Sequence, residues 1–82
     1  MKNTIVILER FNNNGKPISV RVWESKWERD CGDIIKFEND KWTVTSTGFH
    51  NIDDAIEVKD SKVQHYIKRG WWSGRVKRNC KF

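Results

Sequence analysis

Four apolar residues in succession, Ile5, Val6, Ile7 and Leu8, stand between Thr4 and the charged pair Glu9-Arg10. A run that is apolar on both parities suits a strand covered on two faces, so residues 4–10 are predicted to form a central strand. Asn14-Gly15 follows, and because both residues tolerate positive φ the pair marks a hairpin turn. Pro17 can open the next strand, where its missing N–H is not needed. Residues 18–24 then alternate, with Ile18, Val20 and Val22 on one face and Ser19, Arg21 and Trp23 on the other.

Between Ser25 and Asp33 the alternation dissolves into a mixed-charge connection that ends at Gly32-Asp33. A second hairpin is predicted from residues 34–38 and 41–46, turning at Asn39 and Asp40. Ile35 and Phe37 share one parity, as do Trp42 and Val44, so both strands can offer an apolar face to a common core. Gly48-Phe49-His50-Asn51 reads as the end of the β pattern. Asn51 is a good N-cap, and Asp53 and Asp54 complement the dipole of a helix over residues 52–69. Ile52, Ala55, Ile56, Val63, Tyr66 and Ile67 recur at three- and four-residue steps, with the Lys59 stem among them. Gly70 is placed to close this helix after Lys68 and Arg69. Ser61 is itself an N-cap candidate, which leaves open a split into two short helices at Asp60-Ser61.

These elements predict an α+β fold: one domain spanning residues 1–82, an antiparallel sheet of about four strands built from two β-hairpins, one C-terminal helix packed on it, and a basic aromatic tail over residues 70–82. At 82 residues the chain can build one core. Five Trp and four Phe make that core aromatic-rich. No run is long enough for a membrane span and no secretory signal opens the chain, so the expected setting is cytoplasmic with no membrane partner. Cys31 and Cys80 have no C-x-x-C context and are expected to be free thiols.

Charge changes the picture more than composition does. The formal net charge is +5, but residues 1–61 hold all eleven acids and nine of the bases, whereas residues 62–82 hold seven bases and no acid. The last carboxylate is Asp60. Such a stretch self-repels unless the fold spreads its charge or a polyanion neutralises it.

The strongest candidate constellation lies there: Lys62, Lys68, Arg69, Trp71, Trp72, Arg75, Lys77, Arg78 and Lys81. Phosphates need cations and unstacked bases need flat aromatic faces, and this segment offers both. The plainer alternative is that Trp71 and Trp72 pin the tail to the core beneath a solvated basic face. Neighbouring residues point different ways, so one Trp is expected to be core and the other available. A secondary candidate surface comprises Arg21, Trp23, Lys26 and Trp27. It could serve nucleic acid, or, if apolar and exposed, a protein partner or homodimer.

No catalytic residue is assigned. His50 and His65 have nothing that fixes them near each other or near a carboxylate pair, and Asp53-Asp54 reads as helix N-terminal charge. Neither a phosphate-cradling Gly loop nor a metal-ligand cluster is present, so no metal or cofactor is expected. In size, charge and Trp content the chain resembles small accessory proteins that bacteriophages make to bind nucleic acid or to block a host enzyme. That resemblance rests on composition and carries no residue over. The expected function is a non-enzymatic, basic nucleic-acid-binding accessory protein, with RNA or single-stranded DNA favoured over duplex DNA. The alternative is a phage-type protein-binding inhibitor or adaptor that blocks a host enzyme or toxin.

Overall fold

The computed structural model describes residues 4–37 and 39–74. Strand β1 spans Thr4–Phe11, β2 Pro17–Ser25, β3 Ile34–Phe37 and β4 Asp40–Phe49, and the single helix α1 spans Ile52–Arg69. All pairings are antiparallel, in the order β2-β1-β4-β3. The chain therefore has the α+β architecture of two hairpins and a C-terminal helix. β1, apolar on both parities, is paired on both sides.

The first hairpin is set by Asn12, whose side-chain oxygen accepts from the N–H groups of Asn14 and Lys16, each at 2.9 Å. Gly15 supplies the positive φ of 79°. The second hairpin is tighter than its sequence implies, since Phe37 pairs directly with Asp40 and Asn39 takes the left-handed conformation at φ 69°.

Two expectations need correction. Gly48 does not end β4, which continues to Phe49 and pairs there with Ile5. At φ 86° Gly48 sits in a register shift, so it marks a bulge within the strand. The helix is also unbroken at Asp60-Ser61. Its caps lie where the sequence puts them: Asn51 accepts from the Asp54 N–H at 2.9 Å, and Gly70 adopts φ 77°. Ser61 has a helical neighbourhood on both sides, and tertiary packing outweighs its capping preference.

The sheet has two differently furnished faces. Cross-strand partners share a face, so Glu9, Val20 and Thr43 lie together, as do Ile7 and Val22. Helix α1 packs on this side, with Ala55 buried and Tyr66 and Lys62 reaching Glu9. The opposite face carries Val6, Leu8, Ile35, Trp42 and Val44 as one buried cluster, with Trp23 and Phe37 packed against it. The common core expected of the two hairpins is thus divided by the sheet, and its larger cluster lies on the side away from the helix.

Candidate nucleic-acid interface

The helix side accounts for much of the basic aromatic segment. Glu9 is fully buried on β1 and accepts hydrogen bonds from the hydroxyls of Tyr66, at 2.7 Å, and Thr45, while Lys62 Nζ lies 3.0 Å away. The register shift of β4 between Val44 and Ser46 supplies Thr45 as the additional residue that reaches it. Burial first, and then the hydrogen bond to Glu9, push the Tyr66 hydroxyl up to about 12. Lys62, counted among the candidate phosphate contacts, is engaged in this internal ion pair.

Trp71 and Trp72 both converge on Tyr66. The Gly70 N–H donates to the Ile67 carbonyl at 3.0 Å and the Trp71 N–H to the Tyr66 carbonyl at 2.9 Å, the pattern of a Schellman cap. Its usual apolar contact is present too, because the Trp71 ring lies 6.4 Å from that of Tyr66 and meets His65 edge-on at 5.8 Å. Trp72 is half-buried and stacks on the Tyr66 ring, at 6.3 Å and 10°. The expected division into one core Trp and one available Trp is therefore modified: neither joins the fully buried set, and Trp71 stays 41% exposed with the Arg69 guanidinium 5.5 Å over its ring. Lys68 is exposed beside them. Arg75, Lys77, Arg78 and Lys81 lie outside the described residues.

The chain leaves the helix along the start of the β2 edge. Ser73 N–H donates to the Pro17 carbonyl at 2.8 Å, and the Asn12 side chain reaches Ser73 Oγ at 3.3 Å. Gly74 is required by proximity: a Cβ there would stand 2.8 Å from the Trp72 ring and still closer to the Ile18 carbonyl oxygen.

On the opposite face the structure assembles a row that the sequence scatters over 33 positions. The Arg29 guanidinium lies 5.6 Å over Trp23, which abuts Phe37 at 6.4 Å and 50°. Arg21 lies 4.4 Å over Phe37 and 5.8 Å over Trp42, and Arg10 lies 5.6 Å over Trp42. Cross-strand register explains the row, since Leu8 is paired with Arg21 and Val44, Val6 with Trp23, and Ile35 with Trp42. Helix α1 packs on the other face and meets this row at the β2 edge, where Ile52, Ile56 and Lys59 line a pocket with Arg21 and Trp42. Arg21 and Trp23 were secondary candidates, whereas Arg10, Arg29, Phe37 and Trp42 were not singled out. Their signal was parity: Arg10 shares the Val6 and Leu8 side of β1, and Phe37 shares that of Ile35.

At the end of this row stands Trp27, 63% exposed. Its backbone is held by buried Ser25, whose hydroxyl donates to the Trp27 carbonyl at 2.8 Å and accepts from the Trp27 N–H at 3.1 Å and Arg29 Nε at 3.0 Å. One hydroxyl thus fixes both the backbone that presents an exposed indole and the arginine stacked on Trp23. Lys26 beside it is exposed.

No family model, curated protein or solved structure matches the chain. Among the described residues no group of three or more His, Cys, Asp or Glu could hold a metal ion, and no helix is long and apolar enough to cross a membrane.

Proposed function

We propose that this chain is a non-catalytic nucleic-acid-binding accessory protein of the cytoplasm that takes single strands, RNA or single-stranded DNA, on the face of its sheet opposite the Glu9–Tyr66 contact. The observation that carries this reading is the row from Arg29 through Trp23, Phe37, Arg21 and Trp42 to Arg10, ending near exposed Trp27. A guanidinium lying on a ring keeps its N–H edges for phosphate oxygens, and stacking restricts the rotamers that a contact would otherwise have to freeze. A sheet bearing aromatic and basic side chains suits unstacked bases. Arg69, Lys68 and Trp71 form a second basic aromatic patch at the helix C-terminus.

The test is anisotropy of a labelled single strand against a duplex of the same sequence, at several salt concentrations. Tighter single-strand binding is expected, with a log-log salt slope of about 0.7 per phosphate contacted. Arg21→Ala and Trp27→Ala should each weaken it, the latter by about 1–3 kcal/mol if a base stacks there. A salt-insensitive affinity, or equal binding by both variants and the wild type, would overturn the reading.

A second reading, a protein-binding inhibitor or adaptor, draws on the exposed Ile52, Ile56, Val58 and Ile67 of the helix. A pull-down that recovers one protein in equal yield with and without nuclease would favour it.

A further inference from the structure

Two donors on the sheet face stand out because nothing among the described residues accepts from them: Trp42 Nε1 and Arg10 Nε, both buried. Buried polar groups in folded proteins nearly always have a partner, so an orphan invites a search for what it would bind. These two belong to neighbouring side chains, the Arg10 guanidinium being 5.6 Å over the Trp42 ring. Trp42 is only 6% exposed, and with Arg21 it lines a pocket at the β2 edge to which Ile52, Ile56 and Lys59 of the helix also contribute.

The surroundings define the missing partner. An indole N–H and an Arg Nε–H only donate, so the partner must accept. Arg21 brings a second guanidinium over the same indole, at 5.8 Å, which favours an anionic acceptor over a neutral carbonyl. Among the described residues Asp40 lies 3.6 Å from Arg10 Nη1, and it leaves both orphaned donors unsatisfied. A phosphodiester carries two non-bridging oxygens, enough for both donors together.

Resting on the reading that this face binds a single strand, we infer that Arg10 and Trp42 form a subsite for one backbone phosphate of that strand, with Arg21 as the second cation. Arg10 and Arg21 lie over the indole as long side chains rather than backbone. An anion that draws their guanidinium groups outward opens the way to Trp42 Nε1 without disturbing the strands. The neutral indole then reports on occupancy, because its N–H gains a phosphate acceptor in the complex.

The experiment follows the indole N–H resonance of Trp42, assigned through Trp42→Phe, in ¹⁵N-labelled full chain titrated with a short oligothymidylate. Binding is read in parallel for wild type, Trp42→Phe and Arg10→Lys. The first variant keeps an aromatic ring and loses the N–H; the second keeps the charge and loses Nε–H. We expect a downfield shift of the Trp42 indole and an affinity lowered about tenfold in each variant, as for one lost hydrogen bond to an anion. A strand that binds all three proteins equally and leaves the indole unmoved overturns the subsite but not the single-strand reading. No binding by the wild type overturns both. An indole that responds to polyglutamate and not to oligothymidylate assigns the site to a protein carboxylate and overturns the phosphate.

Discussion

Lys62→Met tests whether this lysine belongs to the fold or to a phosphate contact. The substitution keeps most of the aliphatic stem and removes the ammonium 3.0 Å from a fully buried Glu9. Breaking a buried ion pair from one side costs about 3–5 kcal/mol, because the remaining charge is left without its partner. Here the Lys62 side chain is 28% exposed, so water screens part of the interaction, and the Tyr66 and Thr45 hydroxyls still donate to the carboxylate. A loss of about 2–3 kcal/mol follows. For a domain of this size each kcal/mol moves Tm by about 4–8 °C, so thermal denaturation should midpoint about 8–24 °C lower. Adding Glu9→Gln removes the stranded charge while keeping an acceptor for one hydroxyl and offering an amide donor to the other, and should recover about half of the loss. Single-strand affinity, measured well below the lowered Tm, should stay within about twofold of wild type, since a rim charge already satisfied internally has little to give a phosphate. A Lys62→Met protein with unchanged Tm and clearly weaker binding would refute the latch and return Lys62 to the binding surface.

Three further outcomes are expected. Ser25→Ala frees the Trp27 backbone and Arg29, so it should cost about 1–2 kcal/mol in denaturant unfolding and weaken oligonucleotide binding more than Lys26→Ala does; equal binding by both variants would remove the preset indole from the argument. Gly74→Ala should detach the chain from the start of β2, seen as faster amide exchange at Ser73 and altered Trp72 fluorescence, because a Cβ has no room against the Ile18 carbonyl. Tyr66 should ionise near 12, above the ordinary value of about 10. Its neutral form is favoured in the folded state, so that stabilisation is present below pH about 10 and is lost as pH rises through about 12; Tyr66→Phe should flatten this alkaline fall in stability, and an unchanged profile would disprove the assignment.

The sheet and helix were legible because their signals are local. Asn51, Asp53 and Gly70 act within a turn of their own positions, and the run from Ile5 to Leu8 declares a central strand without reference to any other. Gly48 misled because glycine punctuates a strand end and a bulge alike, and only the partner strand decides between them. The surfaces were less legible for the opposite reason. Trp71 and Trp72 look like free aromatic faces until the helix cap brings both against Tyr66. Arg10, Arg29 and Trp42 belong to different strands and a loop, and nothing in their sequence spacing brings them together; the register of three strand pairings does. The secondary group of Arg21, Trp23, Lys26 and Trp27 was visible because its members fall within one strand and its following turn.

The position of β1 has a consequence for motion. Paired on both sides, its amides should exchange only with global unfolding, whereas the short edge strand β3 and the connection from Ser25 to Asp33 can open locally. Val6, Leu8 and Arg10 take one side of this protected strand, with Glu9 on the other. The floor of the aromatic row is thereby as stiff as the protein itself, while Trp27 and Phe37 stand on its more adjustable margins. A ligand would meet a fixed base with a yielding rim, able to fit bases of different size without straining the strand that holds both faces together.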